Sequence, residues 1–455
     1  MDVFNHYLHW LQDFLWGAPL LSIIIGVGIY LTIALKGFQF RYLGRSLHQA
    51  FISKDKNSTN EGAGDLTNFQ ALMTSLAAAI GTGNIAGVAT AIAAGGLGAL
   101  FWMWVMALLG MVIKYAEALL AVKYRIKNKH GEMSGGPMYY LDQGLGYKKL
   151  AMLYAFLGIL ACFGTGNLIQ THSVAEAMHS LFAVDHIYCG LILSIVTGIV
   201  MLGGVKRIGV VAEKVVPVMA LCYVGFGVSI LISHADLLPS VFMSIFYNAF
   251  DGHAAVGGFL GSTMSMAVKA GFSRGIASNE AGLGTSAIAS AAAMSKHPGK
   301  PAMIAMTSVF LSTLVVCTIT GLVIGVTGVL GQEHPLTGEM LNGAPMAATA
   351  FKRLLGGEYI VSLGLILFAF TTIVGWGYYG EKFVEYLLGL KWILAFRLLY
   401  VLCILLGAVL ELHTVWAVSD ITNGLMAIPN LLGILLLASV VKKETKEFEA
   451  MEKDA

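Results

Sequence analysis

Two glycine-rich stretches of the chain place polar residues among apolar ones. Residues 77–87 read Ala-Ala-Ala-Ile-Gly-Thr-Gly-Asn-Ile-Ala-Gly, and residues 269–284 read Lys-Ala-Gly-Phe-Ser-Arg-Gly-Ile-Ala-Ser-Asn-Glu-Ala-Gly-Leu-Gly. Each glycine costs about 1 kcal/mol in a helix interior, so these clusters predict that a helix unwinds there. The freed N–H groups attract a carboxylate, and the freed carbonyls attract a cation. The chemistry that these residues favour is therefore noncovalent binding of charged groups.

Covalent chemistry lacks comparable support in the sequence. A membrane enzyme needs a metal or nucleophile cluster, and no His-Glu-x-x-His arrangement is present. Gly81, Gly83 and Gly87 superficially echo a dinucleotide fingerprint, but their spacing is off by one residue and no strand precedes them. The five cysteines are scattered singly, which is typical of packing residues. We expect neither an enzyme nor an organic cofactor.

The composition shows which environment must hold the two stretches. The 455 residues are 57% hydrophobic and only 12% charged, whereas a soluble domain carries about 25% charged residues. Most of the surface must therefore face lipid. The net charge of +2 gives no indication of nucleic-acid binding.

Apolar runs of the length needed to cross a bilayer recur along the chain. With about 20 residues per crossing, about eleven transmembrane helices are expected. They fall at roughly 17–36, 68–96, 99–122, 151–181, 186–204, 213–233, 241–294, 303–330, 358–384, 393–411 and 415–441. The second and seventh contain the glycine-rich stretches.

Lys and Arg concentrate in alternate loops, for example at Arg41, Arg45, Arg125 and Lys206, and in the C-terminal tail. Because cytoplasmic loops carry the excess of basic residues, the N-terminus is expected outside and the C-terminus in the cytoplasm of a cell-membrane protein. The loop at 37–67 is expected along the inner surface.

The order of the spans predicts an internal symmetry. When the first span is set aside, ten remain, and each set of five begins with an interrupted helix. An odd number per half inserts the second half upside down, and matched interruptions in inverted halves mark a transporter's binding site. The predicted divisions are 1–67, with the extra helix and inner loop, 68–233 and 234–442, the two repeats, and 443–455, a cytoplasmic tail.

These residues resemble the alanine/glycine–cation symporter family, which shares the leucine-transporter fold. The resemblance rests on residues 79–87 and 271–284, on Phe-Trp-Met-Trp at 101–104 and on Gly-Gly-Pro-Met-Tyr-Tyr at 135–140, and it runs from about residue 16 to 442. It implies sodium-coupled import of L-alanine, glycine or a close relative, by alternating access. The partners implied are a small neutral amino acid and the lipid bilayer, and a monomer is compatible with them.

The resemblance also implies binding residues. Thr82 and Gly83 would receive the substrate carboxylate, and unwound backbone at Phe272 and Ser273 would accept from its ammonium group. The pocket would be completed by Asn84, Gln170, Ile276, Ala277 and Trp376. The family commonly carries a bulkier residue where this chain has Ala277, so a larger substrate would fit if Ala277 faces the pocket.

The ion site is implied in the same way. Adjacent hydroxyls of Thr371 and Thr372 resemble the fold's sodium site, completed by the carbonyls of Ala77, Ile80 and Phe368. Without the resemblance, hydrogen bonding of the two threonines to their own helix backbone would be the simpler interpretation.

Two alternatives stay open beside this prediction. One is a broader specificity for neutral amino acids, and the other is proton coupling, which needs a titratable carboxylate at the site. The cores of the two interruptions offer hydroxyls and amides instead, which disfavours proton coupling. Arg274, paired with an acidic residue, is a candidate inner gate.

Overall fold

The computed structural model describes residues 2–52, 62–250, 264–333, 338, 340–353, 358–410 and 413–453, and helices dominate it. The helices are α1 Asp2–Leu15, α2 Ala18–Ala34, α3 Phe38–Phe51, α4 Asn68–Ala79, α5 Ala86–Gly95, α6 Gly98–Lys123, α7 Pro137–Tyr139, α8 Lys148–Phe163, α9 Ile169–Phe182, α10 His186–Leu202, α11 Gly204–Ser233, α12 Leu238–Phe250, α13 Met264–Asn279, α14 Ala287–Ala291, α15 Gly299–Ala305, α16 Thr307–Val309, α17 Thr318–Thr327, α18 Gly343–Arg353, α19 Glu358–Leu388, α20 Ile393–Val409, α21 His413–Leu436 and α22 Ala438–Lys453.

Short irregular turns and one hairpin interrupt this helical series. Among the described residues, 3-10 turns lie at Thr82–Asn84 and Leu390–Trp392, and π-helical turns lie at Tyr140–Gly144, Gly164–Leu168 and Phe310–Cys317. Strands β1 (Ile126–Lys127) and β2 (Met133–Ser134) form an antiparallel hairpin in which Ile126 pairs with Ser134.

The helices have the length and apolarity of a multi-pass membrane protein. Eight helical segments in the described residues can cross a bilayer: Trp10–Ala34, Gly98–Lys123, Lys148–His179, Gly204–Ser233, Gly299–Thr327, Tyr359–Leu388, Leu390–Val409 and Val415–Leu436. Three further apolar helices are shorter than a full crossing: Ala86–Gly95, His186–Leu202 and Leu238–Phe250. The predicted all-α membrane class is confirmed, while the count of about eleven stays a prediction.

The first interrupted helix lies where the glycines predict it. Helix α4 ends at Ala79, Ile80 adopts an extended conformation, and α5 begins at Ala86 after the 3-10 turn. Asn84 stabilises this turn, because its Oδ1 accepts from the Gly81 N–H at 3.1 Å and its Nδ2 donates to the Ser312 carbonyl at 3.1 Å.

The second interruption is displaced from its predicted position. Phe272 and Ser273 lie inside the continuous helix α13, so the expectation of unwound backbone there is wrong. The chain leaves the helix only after Asn279, where Glu280, Gly282 and Gly284 have φ values of 60°, 93° and 78°. This left-handed backbone favours glycine and is uncommon for glutamate.

The first glycines of the second stretch serve helix packing instead. A Cβ on Gly271 would lie 2.5 Å from the Ala99 carbonyl oxygen and 2.6 Å from the Trp102 Cβ. Small residues let membrane helices approach closely, and here they hold α13 against α6. The interrupted span predicted at 241–294 takes in α12, α13 and α14, and its residues 251–263 lie outside the described residues.

The two interruptions face each other across a short distance. The Asn84 Nδ2 donates to the Ser278 carbonyl at 3.4 Å, and a Cβ on Gly83 would lie 3.3 Å from the Ala277 carbonyl oxygen. The C-terminal end of α13 therefore meets the turn that precedes α5.

A buried carboxylate and a buried amide support the backbone of the second interruption. Glu117 on α6 accepts from the Gly282 N–H at 2.9 Å and from the Asn430 Nδ2 at 2.7 Å. Asn430 on α21 also donates to the Gly282 carbonyl at 2.8 Å. These contacts replace helical hydrogen bonds that irregular backbone inside a membrane cannot obtain from lipid.

A lysine and a tyrosine satisfy further carbonyls of the same segment. The Lys114 Nζ donates to the Asn279 carbonyl at 2.7 Å and to the Ser286 hydroxyl. The Tyr154 hydroxyl, on α8, donates to the Leu283 carbonyl at 2.7 Å. Lys114 and Glu117 thus hold the interruption rather than merely neutralising each other.

Most of the predicted C-terminal tail belongs to helix α22, which contacts α3 and α6. Arg41 on α3 pairs with Glu449 on α22 at 2.9 Å, and Lys123 on α6 pairs with Glu444 at 2.5 Å. The amphipathic α3 begins the predicted inner loop, of which residues 53–61 lie outside the described residues.

We expect Asn430→Ala to lower the thermal stability of the purified protein. The substitution removes one donor to the buried Glu117 carboxylate, which keeps the Gly282 N–H, and it removes the Asn430 donor to the Gly282 carbonyl. The expected cost is about 1–3 kcal/mol. The measurement is the midpoint of thermal aggregation in detergent. Asn342→Ala, at an exposed position, is the matched control, and equal midpoints for the two variants would contradict this role of Asn430.

Candidate functional site

A small cavity lies where the two interrupted helices meet. Its volume is about 30 Å³, and since a water molecule needs about 10–15 Å³ of such space, only a small group fits without movement of the walls. It is lined by Ala78, Ala79, Gly81, Gly83, Thr165, Gln170, Ala277, Glu280, Leu283, Thr372, Trp376 and Asn423.

One wall of the cavity presents backbone from the first interruption. Gly81 and Gly83 line it at the turn before α5, where the N–H groups at a helix start carry partial positive charge. The Gln170 side chain on α9 fixes this wall, because its Oε1 accepts from the Thr82 N–H at 3.3 Å. Such a wall attracts a carboxylate.

The π-helical turn between α8 and α9 forms a second wall. A Cβ on Gly166 would lie 2.3 Å from the Trp376 Cβ, so this glycine admits the buried indole of α19. Thr165 in the same turn lines the cavity and accepts from the Asn423 Nδ2 at 2.9 Å. Residues 164–167 repeat the Gly-Thr-Gly-Asn of the first interruption, but they pack against α19 and α21. Local π-helix often marks a functional site.

Oxygen atoms gather next to the cavity, at the end of α4. The Thr372 Oγ1 lies 3.1 Å from the Ala77 carbonyl oxygen and 3.3 Å from that of Ile80. Thr371 is directed differently, since its Oγ1 lies 3.0 Å from the Phe368 carbonyl oxygen within α19. Hydroxyls and carbonyls at the negative end of a helix can coordinate a sodium ion, so these residues fit the ion site that the resemblance implies.

A single glycine separates the oxygen cluster from the cavity wall. A Cβ on Gly81 would lie 2.6 Å from the Thr372 Oγ1 and 3.1 Å from the Gln170 Oε1. Only a residue without a side chain brings these two groups so close. The ion candidate and the cavity therefore share the backbone of Gly81.

Five of the nine predicted binding residues lie outside the cavity lining: Thr82, Asn84, Phe272, Ser273 and Ile276. Asn84 and Ile276 are fully buried, and the Phe272 ring lies 6.3 Å from the Trp102 ring. The Ser273 Oγ donates to the Ala270 carbonyl at 3.3 Å. Residues 271–275 spell the Gly-x-Ser-x-Gly of hydrolase nucleophiles, but inside a helix this serine lacks the strand-to-helix elbow that exposes such a nucleophile.

The structure adds a carboxylate that the sequence interpretation left out of the site. Glu280 lines the cavity, and its Oε2 accepts from the Thr285 hydroxyl at 2.8 Å. The expectation that the interruptions offer only hydroxyls and amides is therefore wrong. Thr165, Leu283 and Asn423 are further lining residues that sequence reasoning missed. For Glu280 the available sequence signal is that it is a titratable residue inside an apolar span.

A family model described as the sodium:alanine symporter family matches residues 1–455. The chain belongs to this family. It is 48% identical to the sodium/alanine symporter AgcS of Methanococcus maripaludis over 449 residues, covering 97% of each chain. It is also 35% identical to the probable sodium/glutamine symporter GlnT of Bacillus subtilis, covering 99% of this chain and 92% of the relative. The resemblance is confirmed, and with it the inference of a transporter rather than an enzyme.

A solved structure places this symporter-family chain among leucine-transporter folds. The transporter MhsT in complex with L-phenylalanine matches with a TM-score of 0.55 at 14% identity, covering 84% of this chain and 90% of that one. At this identity the likeness concerns the fold alone.

An ion pair in this family member joins the interrupted region to the N-terminal helix. Arg274 on α13 lies 3.4 Å from the Asp420 Oδ2 on α21. The same carboxylate accepts from the Gln12 Nε2 at 2.7 Å, and the Asp420 carbonyl accepts from the Trp16 Nε1 at 2.8 Å. The pair thus lies at the end of the bundle near α1, which contradicts an inner gate if the N-terminus is outside.

Gly81→Ala is expected to disturb both the oxygen cluster at Thr372 and the cavity wall held by Gln170. Its Cβ would displace the Thr372 hydroxyl and the Gln170 amide, and displacements near 1 Å can cost two orders of magnitude in rate. We expect at least about tenfold slower uptake of substrate by the purified variant in liposomes. Gly26→Ala on α2, where a Cβ meets nothing within 4 Å, is the control. Equal rates for the two variants would exclude this role of Gly81.

Proposed function

We propose that the protein imports a small neutral amino acid, L-alanine or glycine, together with sodium. The observation that carries this proposal is the Gly81 junction, where the oxygen cluster of Thr372 adjoins the cavity. Two ligands that share one backbone segment each affect the binding of the other. The similarity to AgcS supports the choice of sodium and alanine.

The proposed binding mode follows the charge of the walls. The substrate carboxylate faces the backbone of Thr82 and Gly83 at the start of α5, with Gln170 holding that backbone in place. The sodium ion takes the Ala77 and Ile80 carbonyls with Thr372, and Thr371 and the Phe368 carbonyl complete the shell after rotation of the Thr371 hydroxyl.

The remaining predicted residues act on the shape of the site. Trp376 and Ala277 border the space for the substrate side chain. Four residues fix the positions of the two interruptions relative to each other and do not contact the substrate: Asn84, Phe272, Ser273 and Ile276. Alternating access then consists of exposing this cavity first to one face of the membrane and then to the other.

The orientation belongs to the same proposal. With the N-terminus outside and the C-terminus in the cytoplasm, the Arg274–Asp420 pair forms part of an outer gate. The contacts of α3 and α6 with α22 then lie at the cytoplasmic end, where arginines and lysines are favoured.

A second candidate is coupling to protons. The observation that favours it is the position of Glu280 in the cavity, because a carboxylate can carry a proton between the two faces of the membrane. Sodium coupling remains the stronger proposal. The hydroxyl and carbonyl oxygens around Thr372 can coordinate a sodium ion, and none of them is a titratable group that could carry a proton.

The experiment is uptake of labelled L-alanine by proteoliposomes. We expect accumulation with an inward sodium gradient and none with an equal potassium gradient. Thr372→Ala removes one ion ligand and should raise the sodium concentration for half-maximal uptake about tenfold or more, while Thr197→Ala on α10 serves as the matched control. Uptake that follows a pH gradient regardless of sodium would instead support proton coupling.

Ala277→Phe should narrow the range of substrates. The side chain at this position borders the cavity, so a phenyl ring would occupy space needed by substrates larger than glycine. We expect competition by L-alanine and larger neutral amino acids to weaken more than competition by glycine. Competition measured against labelled glycine tests this, and an unchanged order of competitors would show that Ala277 does not limit substrate size.

A further inference from the structure

Glu280 occupies a position that a glutamate adopts only at a cost. Its φ of 60° is in the left-handed region, which is uncommon for residues other than glycine. Its side chain is 2% exposed and yet borders the cavity. Strained residues persist where the surrounding structure holds them, and they cluster at functional sites.

The carboxylate has one oxygen directed to the protein and one left for a ligand. Oε2 accepts from the Thr285 hydroxyl at 2.8 Å. Oε1 is buried and accepts no hydrogen bond of normal geometry within the described part of the chain, although the Trp376 indole N–H lies close enough to the carboxylate to act as a donor. An unpaired buried oxygen of this kind costs free energy unless a donor reaches it.

The buried charges around Glu280 do not balance. Lys114 is the basic residue that acts on it, but the Lys114 Nζ is engaged by the Asn279 carbonyl and the Ser286 hydroxyl. Glu117, also buried, engages the Gly282 N–H. When both carboxylates are ionised, the three groups carry one net negative charge in a medium where such a charge is expensive. A cationic group in the cavity would remove that cost.

We propose that Glu280 is the fixed counter-charge for the α-ammonium group of the substrate. This deepens the proposed function and rests on it. Gly83 and Glu280 both line the same small cavity. An α-amino acid, whose two charged groups are attached to one carbon, can therefore direct its carboxylate to Gly83 and its ammonium group to Glu280. Ala277 lines the same cavity near the C-terminal end of α13, where the helix dipole adds partial negative charge to that of Glu280.

This arrangement replaces the ammonium site expected at Phe272 and Ser273. It also defines a substrate class, because a small carboxylate without a protonated amine leaves the Glu280 charge uncompensated. The structure therefore favours α-amino acids over the corresponding α-hydroxy acids.

The test compares L-alanine with L-lactate, which carries a hydroxyl in place of the ammonium group. Equilibrium binding is measured by competition against labelled L-alanine at saturating sodium, with the full-length protein in detergent. We expect Glu280→Gln to weaken L-alanine binding by about 10- to 100-fold. L-Lactate binding should weaken far less or improve, so the discrimination between the two ligands falls. Half-saturation by sodium, measured at saturating L-alanine, should change little.

Two further variants separate this role from a structural one. Glu280→Asp keeps the charge and should retain more discrimination than Glu280→Gln, and it is informative even if the glutamine variant folds poorly. Glu117→Gln removes an equal charge from a residue outside the cavity lining, so it should lower thermal stability and reduce the discrimination between L-alanine and L-lactate less than Glu280→Gln does.

Several outcomes would overturn the proposal. The first is an unchanged ratio of L-alanine to L-lactate affinity in Glu280→Gln. If sodium affinity falls while this ratio is unchanged, Glu280 is a ligand of the ion instead. A Glu280→Gln protein that binds normally but no longer couples uptake to an ion gradient would make it a proton carrier. Failure of the wild-type protein to bind any neutral amino acid would instead refute the proposed function.

Discussion

Backbone groups inside a bilayer must find hydrogen-bond partners within the protein, and two helices of this chain fail to supply them internally. Much of the interior is arranged around that constraint. Asn84 closes the first interruption, while Glu117 and Asn430 bind the Gly282 N–H and carbonyl in the second. The buried polar residues of α6 and α21 are costly in lipid, and their contacts explain why the chain retains them.

Most backbone N–H and carbonyl groups of the two interruptions have hydrogen-bond partners in the protein. A few polar groups are directed into a small cavity instead. Its walls bring together positive backbone at Gly83, the carboxylate of Glu280 and the oxygen cluster beside Thr372. Gly81 is the common point, because its missing side chain lets both Thr372 and Gln170 approach the same stretch of backbone. In the proposed mechanism this closeness makes the ion and the amino acid bind as a unit.

Some of this arrangement could be predicted from the sequence, and particular residues show why. The first interruption follows from glycine clustering, whereas the oxygen cluster and the places of Gln170, Ala277 and Trp376 come from the resemblance to the symporter family. The second interruption was misplaced because Gly271 and Gly275 look the same in a sequence as Gly282 and Gly284, although the former pack against α6 and the latter adopt positive φ. Thr165 and Asn423 were missed because only the folded bundle brings α21 to the π-helical turn.

The central claim is that sodium and the amino acid occupy adjoining sites that favour each other. The most direct measurement is the Kd of labelled L-alanine for the purified protein in sodium chloride and in choline chloride of equal ionic strength. Coupling free energies of 1–3 kcal/mol are typical, so we expect a Kd about 5- to 150-fold lower in sodium. Equal Kd values in the two salts would contradict the account, because sodium binding would then have no effect on the binding of L-alanine.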